Sequence, residues 1–229
     1  MILGIMGGMG PAATCNLFAK IIEFTDAVKD LEHLHIVIDN NTQIPDRTQF
    51  ISGFGEDPRI EMIRSILKLE AMGADYIAIP CNTAHYFYDD FVKYSKVKII
   101  NMIYETAVFL KETKPDINEY MLFATIGTYI SGIYSKVFSD LNLKIKEPDE
   151  KDKHILMDWI YRVKSSKYNI NKLEFDALTE KYVHKGDIPI ILGCTELPLL
   201  AKRFNSEINF IDPASILAKF CVKLGQEKK

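Results

Sequence analysis

Short apolar runs alternate with helical patterns along almost the whole chain, and this alternation restricts the fold more than any other feature. Ile2–Met6, His35–Ile38, Tyr76–Ile79, Val97–Ile100, Tyr120–Ala124, Leu143–Lys146, Ile188–Leu192 and Ile208–Ile211 have the length and composition of buried strands. The stretches between them are long enough for the crossover helices that parallel strands require. Asp57-Pro58 supplies a helix start, Ile60, Ile63, Ile66 and Leu67 keep helical spacing, and Gly73 stops it. Asp212-Pro213 repeats that start ahead of Ile216, Leu217, Phe220 and Leu224. The expected class is therefore α/β with parallel sheets. A length of 229 residues with 48% hydrophobic side chains suits one large domain or two small ones. The polar, turn-rich stretch Lys111–Glu119 marks a domain crossing near the middle. The division expected is residues 1–98 with 210–229 returning as one domain, and 99–209 as the other.

Charge and cysteine usage narrow the function classes. The 28 basic and 31 acidic residues are scattered and leave a net charge of −3, so no footprint for nucleic acid or membrane is present. A small-molecule ligand is expected instead. The start MILGIMGGMGP lacks a basic region and is broken by Gly4 and Gly7, unlike a signal peptide, and no apolar stretch is long enough for a bilayer. Cys15, Cys81, Cys194 and Cys221 lie far apart without CxxC spacing, which argues against zinc and against a disulfide framework. The expectation is a reduced, cytoplasmic protein holding no metal.

The two halves share an organisation. The first runs strand, glycine turn and helix (IMGGMGPAAT) and later delivers IPCNTA at a strand end; the second runs LFATIGTYISG and later delivers LGCTEL. A repeat of this kind places Cys81 and Cys194 at equivalent strand ends, facing each other across a cleft between two similar sheets. Two opposed thiols suit one task in particular: removing a weakly acidic α-proton from one face of a carbon and returning a proton to the other. Each cysteine stands where a strand hands over to a helix, where free N–H groups favour an anion and lower a thiol pKa. The same N–H groups, with Asn82 and the hydroxyls of Thr83 and Thr195, can hold a carboxylate.

The segments GGMGPAAT (7–14), PDRT (45–48), PCNTAH (80–85), ATIGT (124–128) and LGCTELPLL (192–200) resemble those of the aspartate racemases, within the aspartate/glutamate/hydantoin racemase superfamily. The resemblance implies a two-domain α/β enzyme with pseudo-twofold halves, no cofactor, and racemisation of an acidic amino acid, L-aspartate to D-aspartate. By position it implies Cys81 and Cys194 as the catalytic pair, and Arg47 and Lys164 as the cations that hold the substrate carboxylates. Met9, Asn82, Thr83, Thr125, Thr128, Ser131 and Thr195 line the substrate site, with Gly8, Gly10 and Glu196 in support. It also implies a homodimer. Glutamate racemases usually show CNTAS and GCTH, where this chain has His85 and Glu196; the aspartate branch is favoured.

Other readings attach to the same residues. Cysteine at a strand end is commonly core, and Cys15 and Cys221, each inside an amphipathic helical pattern, are assigned to packing. Gly4, Gly7, Gly8 and Gly10 do not spell GxGxxG, which leaves Asp39 as the lone candidate for a dinucleotide site. Arg47 fits a solvated loop, and Lys164, closing a helix with the stripe Ile155, Leu156, Trp159, Ile160 and Val163, fits a dipole-complementing end. His33 and His35 lack a third metal ligand, and His85 fits a satisfied histidine. Thr125, Thr128 and Ser131 can simply cap a helix. Alternative functions are a glutamate or broad-specificity racemase, a diacid isomerase or decarboxylase, a pyridoxal-phosphate racemase, and a silent amino-acid-binding protein.

Overall fold

The computed structural model describes residues 1–183 and 188–227; residues 184–187 and 228–229, which the expected division takes in, lie outside the described residues. The first set of elements is β1 (Ile2–Gly7), α1 (Pro11–Phe24), β2 (His35–Asn40), α2 (Arg47–Ile51), α3 (Arg59–Ala71), β3 (Tyr76–Ala78), α4 (Tyr88–Tyr94) and β4 (Lys98–Ile99). After α5 (Met102–Thr113) comes the second set: β5 (Glu119–Phe123), α6 (Ile126–Ser131), α7 (Ile133–Ser139), β6 (Lys144–Lys146), α8 (Glu150–Lys164), α9 (Lys172–Val183), β7 (Ile190–Leu192) and α10 (Leu197–Arg203). The described chain closes with α11 (Pro213–Gln226).

The strands form two parallel sheets of matching order, β2-β1-β3-β4 and β6-β5-β7. In each sheet the first strand lies central, flanked by the second and third. A parallel bridge between Ile191 and Ile211 adds the counterpart of β4 beyond β7. The expected α/β class with two similar parallel sheets is what the chain adopts. The expected strands are found, but Val97–Ile100 is reduced to β4 and Ile208–Ile211 to that single bridge. Both sit at sheet edges, where one neighbour fewer leaves less ladder to extend them.

Both sheets are covered on both faces, as parallel sheets require. Leu3 and Ile5 point to α1 and α11, whereas Met6 and Ile77 point to the face packed by Met62 and Ile66 of α3. Tyr120 and Leu122 join one core with α5 and α7, while Met121 and Phe123 join the other with Leu156 and Trp159 of α8. The period of two along β1 and β5 alone sorts these side chains. Helix starts follow the expected chemistry with one shift. The Asp212 carboxylate accepts the Ala214 N–H at 2.9 Å. Asp57 accepts the Arg59 N–H at 3.0 Å, but α3 opens one residue after Pro58.

The two sets of elements meet beyond the carboxyl ends of the strands. A Cβ built on Gly127 of α6 would lie 2.8 Å from Thr48 Cα of α2, so the two backbones touch at a residue without a side chain. Nearby, the Tyr161 hydroxyl of α8 donates to Asp46 at 3.0 Å.

Candidate functional site

The turn after β1 presents Gly8, Met9 and Gly10 to the site. Gly8 has φ +93°, and a Cβ there would fall 2.2 Å from the Asn41 carbonyl oxygen, so only glycine fits. Met9 is buried. Gly10 faces the second set of elements, where a Cβ would stand 3.5 Å from Glu196 Oε1. The loop after β2 brings in Arg47. Asp46 caps α2 by accepting the Gln49 N–H at 2.9 Å, and Arg47 follows at the first helical position. Its guanidinium is buried and pinned by main chain: Nη1 donates to the Pro45 carbonyl at 3.0 Å, Nη2 to the Met9 carbonyl at 3.0 Å. Its Nε has no hydrogen-bond partner among the described residues.

Cys81 and Cys194 follow β3 and β7, with exposures of 7% and 6%. Their turns touch, for the Thr195 hydroxyl donates to the Pro80 carbonyl at 3.4 Å. Tyr134 donates to Asn82 Oδ1 at 2.6 Å and leaves Asn82 Nδ2 buried without a partner among the described residues. The hydroxyls of Thr83, Thr125 and Thr128 form a triangle with every side 3.0 Å, joining the Cys81 turn to the start of α6. Cys194 Sγ donates to Glu196 Oε2 at 3.0 Å, while Glu196 Oε1 is buried without a hydrogen-bond partner among the described residues.

Charge ties Lys164 to this group. Burial disfavours its ammonium, but the facing Glu196 carboxylate and both cysteine sulfurs outweigh that and hold its pKa above the ordinary lysine value, with Arg47 opposing. The strand-to-helix setting expected to favour a thiolate does not lower the pKa at Cys194. Burial first, then the Glu196 charge, push that thiol well up, and Lys164 offsets only part of the rise. The helix that follows, α10, starts only at Leu197, beyond Glu196. A carboxylate in contact outweighs a dipole spread over a turn.

A model of the family described as Asp/Glu/hydantoin racemase matches residues 6–221. This chain belongs to the Asp/Glu/hydantoin racemase family. An aspartate racemase from Picrophilus torridus superposes with a TM-score of 0.83 at 33% identity, over 98% of this chain and 94% of that one. The broad-specificity amino-acid racemase RacX of Bacillus subtilis (strain 168) is 29% identical over 230 residues, 96% of each chain. A glutamate racemase from Francisella tularensis shares the fold, with a TM-score of 0.72 at 18% identity over 99% of this chain and 81% of that one. The two-domain α/β architecture and a place among the Asp/Glu/hydantoin racemases follow from this membership.

In this racemase-family chain the structure gathers Gly8, Met9, Gly10, Arg47, Cys81, Asn82, Thr83, Thr125, Thr128, Lys164, Cys194, Thr195 and Glu196 through the contacts described above. Ser131 is not brought in: its hydroxyl donates to the Thr128 carbonyl at 2.8 Å, at the end of α6. Cys221 is core in α11, its thiol pushed up to about 12 by burial, and Cys15 is exposed on α1. Among the described residues no group of three or more histidine, cysteine, aspartate or glutamate side chains is placed to hold a metal, and no helix is long and apolar enough to cross a membrane. Sequence reasoning missed Tyr134 and Tyr161. Neither lies in a motif, and each acts across more than 50 residues of chain. Asp46 was legible as a cap, since its carboxylate stands three residues before the N–H it accepts. A hollow of about 800 Å³ beside Trp159 and Glu174, and another of about 660 Å³ beside Tyr88, Ile99 and Phe220, contain neither cysteine. Each thiol is buried against the core of its own set of elements.

Proposed function

We propose that this protein racemises an acidic amino acid, aspartate before glutamate, without a cofactor, using Cys81 and Cys194 on opposite faces of the α-carbon. The observation that supports it is the set of buried polar atoms around the two thiols that lack a hydrogen-bond partner among the described residues: Arg47 Nε and Asn82 Nδ2 as donors, Glu196 Oε1 as acceptor. A dicarboxylic amino acid offers carboxylate oxygens to the first two and an ammonium to the third. Buried polar groups without partners are costly, so a site with this inventory selects a ligand that completes it. Arg47 has one edge committed to carbonyls, and its Nε–H with the second Nη2 hydrogen can meet a carboxylate side-on.

In turnover one cysteine, as thiolate, takes the α-proton, and the other, as thiol, delivers its proton to the opposite face. Two C–H events exchange the protonation states of the pair. Cys194 with its raised pKa serves as the thiol in the resting pair, and Glu196 is its proton partner. Donors fixed in a buried site stabilise the carbanion-like transition state without reorganising. The name of the Bacillus subtilis relative favours a second reading, broad specificity.

The deciding experiment is turnover of L-aspartate, L-glutamate and L-alanine in deuterated water, followed by optical activity and by mass. Deuterium at Cα of the product, an absorbance spectrum free of a visible chromophore, and loss of turnover in both Cys81→Ala and Cys194→Ala are expected. Near wild-type turnover in either alanine variant overturns the two-base reading. Equal turnover of alanine and aspartate selects broad specificity.

A further inference from the structure

His85 is a buried titratable group that the proposed chemistry does not use. Both ring nitrogens are engaged by main chain. Nδ1 lies 2.9 Å from the Cys81 carbonyl oxygen, and the Met102 N–H donates to Nε2 at 3.1 Å. Because an amide N–H can only donate, Nε2 carries no hydrogen; because a carbonyl can only accept, Nδ1 carries it. The partners thereby assign the neutral Nδ1–H tautomer. A second proton would set N–H against N–H in a buried position. Burial acts in the same direction and holds the ring's pKa below its ordinary value, against hydrogen bonds with the main chain of Cys81, Ile100 and Asn82.

The two peptides that the ring joins follow the neighbouring strands β3 and β4. Cys81 sits in one core of the first sheet, and Met102, which opens α5, packs in that sheet's other core with Leu3, Ile5 and Ala78. Further along α5, Ile103, Ala107 and Leu110 pack with Tyr120 and Leu122 of the second sheet. That first turn is itself held, since Asn101 Oδ1 accepts the N–H groups of Ile103 and Tyr104, each at 3.1 Å. The imidazole is a planar strut between the turn that carries one thiol and the first turn of a helix that runs from the core of the first sheet to that of the second. A bidentate aromatic link has few torsions to relax, so it transmits position better than a single flexible hydrogen bond.

We propose that His85 is a positioning residue for Cys81, bracing the main chain that carries the thiol against the first turn of α5 so that the thiol keeps its place during turnover. The inference rests on the assignment of Cys81 as an acid–base group, and its test is built so that the two can fail separately. His85→Gln places an amide where Nε2 stood, keeping Met102 and releasing Cys81; His85→Asn places one where Nδ1 stood, keeping Cys81 and releasing Met102. His85→Gln is expected to lower kcat at least about tenfold with KM within about threefold, as for a misplaced reacting group, and His85→Asn is expected to lose less. Losses in KM alone, or kcat near wild type in both variants, overturn the proposal.

A second readout needs no turnover. Carbamidomethylation by iodoacetamide, followed by peptide mass spectrometry, should change in rate at Cys81 relative to Cys194 in His85→Gln. If the wild type racemises no amino acid while this ratio still shifts, the functional reading falls and the positioning role stands. If the wild type racemises and neither kcat nor the ratio moves, the positioning role falls. Nitrogen NMR of the histidine-labelled wild type checks the strut without any variant. It should show His85 as Nδ1–H at neutral pH, and an Nε2–H ring overturns the proposal.

Discussion

At the residue scale the two thiols are set apart by what touches them. Cys194 has Glu196 Oε2 at 3.0 Å, whereas Cys81 is held through its main chain. Burial and the Glu196 charge both favour the protonated Cys194. In a pair that works as one thiolate and one thiol, activity rises as the first ionises and falls as the second does, so Cys194 sets the alkaline limb of the pH profile. Glu196→Gln removes the like charge but not the burial, and the alkaline limb of kcat/KM should move to lower pH by on the order of one unit. A limb that stays in place would disconnect Glu196 from the thiol. Arg47 and Lys164 give a second prediction. Replacing either with alanine should lower kcat/KM for L-aspartate about a hundredfold, on the order of 3 kcal/mol, in line with loss of a charge-assisted contact. An alanine substrate, lacking the second carboxylate, should be much less affected, and equal losses on both substrates would remove the cations from substrate selection.

Elements decide whether these residues meet at all. α2 carries Arg47 on one set of elements and α6 follows Thr125 on the other, and they approach through Gly127 against Thr48. A Gly127→Ala side chain would enter at 2.8 Å from both Thr48 Cα and Thr48 Oγ1, so one helix must shift. Overpacking of this kind costs about 1–3 kcal/mol, read as a fall in thermal midpoint. Because the shift parts Arg47 from the threonine hydroxyls, KM for aspartate should rise as well. An unchanged midpoint would mean that α2 is free to move, and that the contact does not hold the site together. The boundaries of these elements were partly legible. Asp212, Asp57 and Gly73 mark helix ends by local capping chemistry, which acts over a few residues and so is written locally. α2 is only five residues long and has no apolar stripe to announce it.

At the scale of the whole molecule, two sheets of the same order are assembled so that the turns after β3 and β7 adjoin. We propose that the chain divides into residues 1–98 with 210–229 and residues 99–209, and that two copies form a homodimer. Light scattering at micromolar concentration should give about twice the 26.2 kDa chain mass, and a single species at the chain mass would refute the dimer. The α/β class, the central strands, the capped helix starts and the motif residues were readable in the sequence because each depends on periodicity or on chemistry within a few positions. The continuous apolar runs at Leu3 to Met6 and Tyr120 to Phe123 marked strands buried on both faces, and the structure divides their alternate side chains between different cores. Tertiary structure alone decided the rest. It set burial and then the Glu196 charge, rather than a helix dipole, as the influences that raise the Cys194 thiol, because burial and a contact at 3.0 Å both depend on how the chain is folded. It turned Ser131 to a local carbonyl, brought Tyr134 to Asn82 across 52 residues, and spanned Cys81 and Met102 with one imidazole. Long-range hydrogen bonds leave no period in the sequence, since each is a single meeting of two residues that the fold as a whole brings together.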